Sequence, residues 1–396
     1  MTTTFSPTTA IETRAARFPT FARGSKVVVV GAGAFGGWSA LYLLRQGYNV
    51  TLVDAWGPGN SRASSGDETR VIRSTYGANE VYFDLNVRAL SLWKENEKLF
   101  NKKLFHNSGV LWFCYEDKTP LVDDSIPFAQ KHTMEYERLS IAELKKRFTI
   151  IYTDDLHHAY FDPYGGYLKA REACLAVQEQ FVNEGGVYIQ AQVTPGVIQQ
   201  QQLDSVKLSD GQSLQGDVYL FACGSWLGKV FPDILHDVIT CTKQEVYYFG
   251  VPAEYASLYD NFPVWVDVDG KDFYYGIAGN AHRGFKIGVD IRGAIFDPSH
   301  GERTITPEVL AKARAFISHR FPGLKNAPLT ESRVCPYENS PDGNLIFEVH
   351  PHASNIVLLG GGSGHGFKHG PALGELVANT FVGNATPSDI LRRSLK

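Results

Sequence analysis

The segment Lys26–Gly36, KVVVVGAGAFG, decides the fold, because a β-branched run passes directly into a G-x-G-x-x-G motif. The first five residues have the composition of a buried parallel strand. A helical pattern follows the glycines and stops at Gly47, and a second strand-like run, Asn49–Asp54, ends in an acid. This order of strand, helix and strand predicts a βαβ unit.

The glycine motif predicts a dinucleotide site. Glycines permit a tight turn and let backbone amides approach a pyrophosphate at the positive end of the helix. Asp54 lies 18 residues after the third glycine, where its carboxylate is placed to accept a hydrogen bond from a ribose hydroxyl. A glycine-rich turn without a nucleotide is the alternative, but it leaves the combination of strand, helix and acid unexplained. The candidate residues are Gly31, Gly33, Ala34, Phe35, Gly36 and Asp54.

A second glycine cluster near the end of the chain indicates which dinucleotide binds. Residues 360–368, GGGSGHGFK, stand between the apolar run 356–359 and a predicted helix that starts at about Pro371. A second helix N-terminus can stabilise negative charge on the pyrimidine end of a reduced flavin. An NAD-binding domain does not need such a closing segment, so the pattern favours FAD.

The middle of the chain has a different residue pattern. Short aromatic and β-branched runs between about 236 and 292 predict an antiparallel sheet. We therefore predict an α/β fold, a Rossmann-type FAD-binding domain with an inserted antiparallel-sheet substrate domain. The predicted segments are 25–95, 150–235 and 330–390 for the FAD-binding domain, 96–149 and 236–329 for the substrate domain, and 1–24 for an N-terminal extension.

Composition argues against several classes of partner. The formal net charge is −4, with 38 basic and 42 acidic residues, so no basic surface for nucleic acid is predicted. No apolar run approaches the roughly 18 residues of a membrane span. The five cysteines form no CxxC pair, which indicates a reducing compartment and a cytoplasmic protein. The histidines show no ligand spacing, so no metal is predicted, and the chain is expected to be a monomer or a small homo-oligomer.

Several motifs in one order carry a resemblance to a known family. They are Gly66–Arg73 (GDETRVIR), Tyr275, Phe285–Gly288 (FKIG), Cys335–Asp342 (CPYENSPD) and Ser363–Lys368 (SGHGFK). With these motifs, the chain from about 26 to 385 resembles the monomeric sarcosine oxidase and N-methyltryptophan oxidase family, in the D-amino acid oxidase-like group of flavoproteins. The resemblance implies a flavoenzyme that acts on a small amine.

The resemblance also implies roles for individual residues. Cys335 matches a cysteine that binds FAD covalently, and Lys286 matches a lysine that helps the reduced flavin to react with O2. From the residues alone, Cys335 could equally be a small buried hydrophobe, and Lys286 could point to solvent from a strand. Arg73 and Lys368 match a pair that holds a substrate carboxylate, for which surface ion pairs are the alternative.

The predicted site is completed by residues implied in the same way. Arg70 matches an arginine next to the flavin ring, and Tyr275 matches a tyrosine of the substrate pocket, with a core aromatic as its alternative. The predicted catalytic residues are Lys286, Arg70, Tyr275 and Asp290, and the substrate-binding residues are Arg73, Lys368 and Tyr275. The predicted cofactor-binding residues beyond the first loop are Ser64, Ser65, Thr69, Arg70, Cys335, Gly362, Gly364, His365, Gly366, Phe367 and Lys368.

The sequence departs from the family pattern at three places. Ser64 and Ser65 replace a pair of histidines, Glu68 is an extra residue, and Asp290 replaces an active-site histidine. An acid in place of an imidazole favours a substrate with an additional positive charge or without a carboxylate. We therefore predict that the substrate is a bulkier or more basic amine than sarcosine.

The predicted reaction is FAD-dependent oxidation of the C–N bond of a small secondary or N-methyl amine or amino acid to an imine. Reoxidation of the flavin by O2 would then give hydrogen peroxide. Two alternatives remain open from the sequence. One is a flavin-dependent amine dehydrogenase that uses another electron acceptor, and the other is an NAD-dependent dehydrogenase that uses only the N-terminal loop.

Overall fold

The computed structural model describes residues 18–268, 272–279, 283–393 and 395. Residues 1–17 of the predicted N-terminal extension therefore lie outside the described residues. The helices within the described ranges are α1 (Ala34–Arg45), α2 (Glu80–Leu99), α3 (Pro120–Asp123), α4 (Ile126–Lys131), α5 (Ile141–Arg147), α6 (Ala170–Asn183), α7 (Leu227–Val230), α8 (Pro232–Leu235), α9 (Ala256–Asp260), α10 (Pro307–Arg320) and α11 (Gly370–Phe381).

The strands alternate with these helices along the chain. They are β1 (Lys26–Val30), β2 (Asn49–Asp54), β3 (Thr69–Ile72), β4 (Phe105–His106), β5 (Val110–Cys114), β6 (Glu137–Leu139), β7 (His158–Asp162), β8 (Gly166–Lys169), β9 (Val187–Gln190), β10 (Val193–Pro195), β11 (Ile198–Gln199), β12 (Gln202–Leu203), β13 (Val206–Leu208), β14 (Ser213–Leu214), β15 (Val218–Phe221), β16 (Thr240–Phe249), β17 (Val264–Val268), β18 (Phe273–Ile277), β19 (Phe285–Val289), β20 (Leu329–Asn339), β21 (Ile346–His350) and β22 (Ala353–Gly360).

The predicted Rossmann-type unit is confirmed as a six-stranded sheet with the order β21-β22-β15-β1-β2-β9. All neighbours pair in parallel except β21, which runs antiparallel at one edge. In β1, Val27 and Val29 belong to one hydrophobic cluster, and Val28 and Val30 belong to another. Both faces of the sheet are therefore covered, which explains why the strand is an unbroken β-branched run.

A second, eight-stranded sheet has the order β20-β16-β19-β18-β17-β5-β7-β6. It is antiparallel as predicted, apart from one parallel pair, β5 with β17. Its central strand β19 is buried at every position. Phe285 and Ile287 pack into a hydrophobic cluster on one face. Because strand side chains alternate, Lys286 points to the opposite face and is nonetheless buried.

Two strands that the predicted domain segments place with the FAD-binding domain belong to the eight-stranded sheet. One is β7, which pairs with β5. The other is most of β20, which pairs with β16 at the edge of the sheet. The division of the chain into domains stays a prediction. At the other end, Phe18 packs on Phe347 with 4.9 Å between ring centroids, and the Phe21 amide donates to the Phe381 carbonyl at 2.8 Å. The last residues of the predicted extension thus lie against the six-stranded sheet and α11.

A helix that crosses a lipid bilayer must be both long and apolar. Within the described residues, none is both long and apolar enough to cross a membrane.

We predict that Gly36→Ala lowers the free energy of unfolding by about 1–3 kcal/mol or more, because overpacking a close contact strains the backbone. A Cβ atom at Gly36 would lie 1.8 Å from the Gly31 carbonyl oxygen. Gly37→Ala is the matched control, since its Cβ would meet nothing nearer than Val177 Cγ1 at 3.4 Å. Urea unfolding of both variants measures the difference, and equal stabilities would contradict the expected close approach.

Candidate active site

A cavity of about 1240 Å³, including the solvent space at its mouth, extends from the carboxyl ends of the parallel strands to the glycine cluster after β22. The first loop, the ends of β2 and β15, the segment before β3 and the far glycine cluster all line it. The predicted residues in its walls are Gly31, Gly33, Ala34, Phe35, Asp54, Ser64, Ser65, Arg70, Gly362, Gly364, Gly366 and Phe367. Predicted residues from both ends of the chain therefore line one cavity.

The first loop is built from close backbone contacts. Gly31 has φ +108°, and a Cβ there would lie 2.3 Å from the Ala222 carbonyl oxygen at the end of β15. The Asp54 carboxylate accepts from the amides of Ala32 at 2.8 Å, Trp56 at 2.9 Å and Gly57 at 2.8 Å. Asp54 thus fixes the loops on both sides of the cavity while one edge of its carboxylate faces the space.

A buried carboxylate, Asp67, joins the segment before β3 to the eight-stranded sheet. Asp67 Oδ2 accepts from Lys286 Nζ at 2.5 Å and from Arg70 Nη1 at 2.6 Å. Asp67 Oδ1 accepts from the Tyr248 hydroxyl at 2.8 Å. Lys286 Nζ also donates to the Thr69 carbonyl at 2.9 Å. Lys286 therefore does not point to solvent, and it lies beside a cavity wall formed by Arg70.

The charges of this cluster are strongly coupled. Burial raises the pKa of Asp67, but the adjacent Lys286 and Arg70 more than offset burial and hold it below its usual value. Burial lowers the pKa of Lys286, and the Asp67 charge opposes this effect. Burial also lowers the pKa of Arg70, but the negative groups around it, Asp67 first among them, together raise it above its usual value. With Asp67 ionised and both cations protonated, the cluster carries one net positive charge next to the cavity.

Cys335 lies on β20 behind this wall. Its Sγ is 3.8 Å from Arg70 Nη2, and the side chain is a buried free thiol. Burial raises the pKa of Cys335, and the positive charge of Arg70 opposes the rise. The thiol is therefore protonated. The Arg70 guanidinium lies where it would stabilise the thiolate.

Arg73 and Lys368 both lie against the Tyr76 ring. The Arg73 guanidinium carbon is 4.9 Å from the Tyr76 ring centroid and 5.3 Å from that of Trp112, and Lys368 Nζ is 5.1 Å from the Tyr76 centroid. In the described part of the chain, neither cation has a carboxylate within 4.0 Å. Burial lowers the pKa of both, and Arg73 lowers that of Lys368 further. Two buried cations without a close counterion favour an anionic ligand.

Asp290, Tyr275 and Tyr337 form the third part of the site. Burial raises the pKa of both tyrosines, each tyrosine acts on the pKa of the other, and the negative charge of Asp290 raises both further. Burial raises the pKa of Asp290, while the positive charges of Arg292 and Arg73 oppose that effect. The Tyr275 ring packs on Gly288, where a Cβ would lie 2.4 Å from Tyr275 Cζ. This contact explains the small residue after the FKI run.

Several predicted residues lie behind the cavity lining rather than in it. His365 Nε2 is 2.8 Å from the Gly343 carbonyl oxygen, and Lys368 Nζ donates to the His365 carbonyl at 2.8 Å. The predicted residues outside the lining are Gly36, Thr69, Arg73, Tyr275, Lys286, Asp290, Cys335, His365 and Lys368. Arg70 and Tyr337 connect the two sets, because each lines the cavity and contacts a residue behind it.

Sequence reasoning missed several residues of the site. Asp67 and Tyr337 stand inside the quoted motifs, so their polar side chains were a usable signal. Trp56 and Trp226 line the other end of the cavity with 4.7 Å between ring centroids, and no sequence pattern indicated this pairing. Glu338 also lines the cavity. The described residues contain no cluster of three or more His, Cys, Asp or Glu side chains arranged for a metal.

Comparison with protein families and curated proteins gives concordant matches. Residues 26–380 match the model of the FAD dependent oxidoreductase family. A monomeric sarcosine oxidase from Bacillus sp. (strain B-0618) is 30% identical over 372 residues, covering 92% of this chain and 94% of that protein. An N-methyl-L-tryptophan oxidase from Yersinia pestis (strain Pestoides F) is 26% identical over 373 residues, covering 93% of this chain and 98% of that protein.

Solved structures show the same fold at lower sequence identity. A modified fructosyl peptide oxidase from Aspergillus nidulans superposes with a TM-score of 0.81 at 20% identity, covering 94% of each chain. An L-proline dehydrogenase from P. horikoshii gives a TM-score of 0.78 at 21% identity, covering 91% of this chain and 93% of that one. These likenesses concern the fold alone.

Proposed function

We propose that this chain, which belongs to the family of FAD-dependent oxidoreductases, oxidises the C–N bond of a small secondary amine or N-methyl amino acid. The observation that carries the proposal is a cavity lined by both glycine clusters, with two groups of cations nearby that each contain a buried lysine. One group is Lys286 with Arg70, tied to Asp67, and the other is Arg73 with Lys368. The names of the relatives, sarcosine oxidase and N-methyl-L-tryptophan oxidase, support the same class of substrate.

The residues around the cavity fit FAD. The first loop and the start of α1 line the cavity, so their backbone amides can lie against a pyrophosphate. Glu338 Oε2, in the wall, is buried without a hydrogen-bond partner among the described residues. The far glycine cluster closes the same cavity, which an NAD-dependent enzyme using only the first loop would not require. We therefore assign the cavity to FAD.

Bound FAD supplies the redox chemistry, taking a hydride from the carbon beside the amine nitrogen and passing two electrons to O2, which yields hydrogen peroxide. Lys286 provides a fixed positive charge in a water-poor site, where developing negative charge on oxygen is stabilised most. Asp67 and Thr69 hold this ammonium group in place. An oxidase is thereby favoured over a dehydrogenase that needs another acceptor.

The substrate is bound through charge. Arg73 and Lys368 are placed to hold a carboxylate, since no protein carboxylate in the described residues pairs with either at short range. Asp290 offers an opposite charge near Tyr275 and Tyr337. An amino acid with a second cationic or strongly polar group satisfies both ends, whereas sarcosine has nothing for Asp290 to bind. The preferred substrate is therefore a larger, more basic N-alkyl amino acid.

Cys335 is the proposed point of covalent FAD attachment. Cys335 stands two residues before Tyr337 on β20, so its side chain points to the same face of the strand as Tyr337, which lines the cavity. Arg70, 3.8 Å away, stabilises the thiolate that must form before a carbon–sulfur bond can be made. The scattered free cysteines fit a cytoplasmic enzyme.

The proposal as a whole is tested by the absorption spectrum of the purified protein and by peroxide release with a panel of amines. We expect a flavin spectrum and peroxide formation with N-alkyl amino acids. Turnover with an artificial electron acceptor and none with O2 would favour a dehydrogenase. A colourless protein that binds NAD would overturn the proposal.

The covalent link makes a separate prediction. After acid precipitation, flavin should remain in the pellet of the wild-type protein and be absent from the pellet of Cys335→Ala. Cys114→Ala is the control, because Cys114 is a free cysteine that is likewise buried but lies on β5, beside Thr119 and Asp123. Flavin released into the supernatant from the wild type would rule out the link and leave FAD binding intact.

Lys286→Met should slow reoxidation by O2 by about 10²–10³-fold, the usual effect of removing one preorganised charge from a transition state. Reduction of the flavin by substrate without oxygen should change far less. Stopped-flow measurement of the two half-reactions separates these effects. Lys243→Met, which removes a lysine from β16 outside the cavity lining, should leave both rates near wild type. Equal losses in both half-reactions would contradict the assigned role.

Asp290→Asn should lower kcat/KM for substrates with a second cation by about 10–100-fold, the loss of a charge-assisted hydrogen bond of roughly 1.5–3 kcal/mol. Substrates without a second cationic group, such as sarcosine, should change little. Asp297→Asn, a surface residue paired with Lys229 at 2.6 Å, is the control. The substrate assignment is wrong if sarcosine is oxidised by the wild type at least as fast as every other amine in the panel.

A further inference from the structure

Tyr76 contacts both cations of the proposed carboxylate site, and no step of the proposed reaction uses it. Its ring centroid is 4.9 Å from the Arg73 guanidinium carbon and 5.1 Å from Lys368 Nζ, both within the range of a cation–π contact. Arg73 also lies 5.3 Å from the Trp112 ring centroid. Arg73 and Tyr76 are half-buried, whereas Lys368 is buried. The Tyr76 ring is thus a contact that the two cations share.

The two cations have no counterion at short range. In the part of the chain that the structure describes, neither forms an ion pair with a carboxylate, and their hydrogen bonds go to backbone carbonyls instead. Arg73 Nη1 donates to Thr75, and Lys368 Nζ donates to His365 at 2.8 Å. Like charges in a water-poor place repel each other, so each needs a source of negative potential. The electron-rich face of the Tyr76 ring supplies one for both.

Two histidines hold the hydroxyl of this ring. Tyr76 Oη is 2.7 Å from His369 Nε2 and 3.2 Å from His365 Nδ1. Burial and the Lys368 charge lower the pKa of both histidines, so both rings are neutral. His365 Nε2 lies 2.8 Å from the Gly343 carbonyl oxygen, which only accepts, so the His365 proton is on Nε2. Tyr76 therefore donates to His365 Nδ1, and His369 Nε2 donates to Tyr76 Oη.

Packing fixes the rest of the ring. Tyr82, from α2, stacks on Tyr76 with 5.2 Å between ring centroids and 24° between the planes. Tyr82 is anchored in turn, because its hydroxyl accepts from the Leu345 amide at 2.7 Å. His369 directly precedes α11 and is fully buried. The hydroxyl bonds and the stacked neighbour together leave Tyr76 little freedom, so its ring stays beside the two cations.

We infer that Tyr76 is a positioning residue whose ring holds Arg73 and Lys368 together for the carboxylate of the substrate. The inference rests on the proposed function, which assigns these two cations to a substrate carboxylate. A protein carboxylate in place of the ring would bind the N–H groups of the cations and compete with the substrate. An aromatic ring attracts the cations and leaves those N–H groups free.

The test compares Tyr76→Leu with Tyr76→Phe in the flavin-loaded enzyme. Tyr76→Leu removes the ring, so titration calorimetry should show acetate binding about tenfold more weakly, the scale of one desolvated cation–π contact. KM for an N-alkyl amino acid should rise by a similar factor, whereas kcat should change far less. Tyr76→Phe keeps the ring and loses only the hydroxyl bonds, so both constants should stay within about threefold of wild type.

Tyr42→Leu is the matched control, and it should bind acetate like the wild type. Tyr42 is also half-buried, lies 5.7 Å from the Arg45 guanidinium carbon and accepts from Asn96 Nδ2 at 3.1 Å, but it does not line the cavity. Tyr76→Met fills more of the space of the ring without a π-system, and it gives the same test should the leucine variant fold poorly.

Equal acetate affinity in the wild type and in a flavin-containing Tyr76→Leu or Tyr76→Met would overturn the role of the ring. A Tyr76→Phe variant that binds acetate as weakly as Tyr76→Leu would also overturn it, because the hydroxyl would then be responsible. A yellow wild-type enzyme that does not bind acetate would overturn the assignment of the two cations to a carboxylate. A colourless wild-type protein would instead overturn the proposed function, so the failures are distinct.

Discussion

The rest of the site depends on the burial of Asp67 between two cations. One carboxylate oxygen is shared by Lys286 from β19 and Arg70 from β3, at 2.5 and 2.6 Å, and the other accepts from Tyr248 of β16. An isolated charge at this depth would be strongly unfavourable, and removing one partner of such a set typically costs 3–5 kcal/mol. The eight-stranded sheet and the segment that precedes β3 must therefore fold against each other for the cavity wall to exist.

The cluster around Asp67 has one more positive than negative charge, and a second group of cations lies at Arg73 and Lys368. The site therefore has a surplus of positive charge in two places. Lys286 and Arg70 flank the wall near Cys335, while Arg73 and Lys368 both lie against the Tyr76 ring. The surplus suits a cofactor that gains electrons and a substrate that carries a carboxylate. Two acids of the site have their charge limited by neighbours, because Asp67 is paired with two cations and Asp54 accepts from three amides.

The candidate site could be predicted in part because several of its residues stand in short, ordered motifs. The glycine loops were recognisable from their place between strand and helix, and the structure brings both to one cavity. The role of Lys286 was undecided from periodicity alone, because alternation with Phe285 and Ile287 fits either a solvent-facing or a buried lysine. Only the structure, in which both faces of the sheet are covered at β19, shows that Lys286 is buried. Glu338 gave no sequence signal, because its burial in the cavity wall depends on neighbours supplied by other elements.

By itself, the sequence determined the βαβ unit around Lys26–Gly36, the place of both glycine clusters beside buried strands, and the family of the chain. Local periodicity, turn residues and steric demand decide these features, so they can be read from neighbouring residues. The tertiary structure alone decided that Asp67 joins Lys286, that Trp56 meets Trp226, and that Glu338 is buried in the cavity wall. These features come from residues far apart in the chain, and burial and charge act on them only after the two sheets have come together.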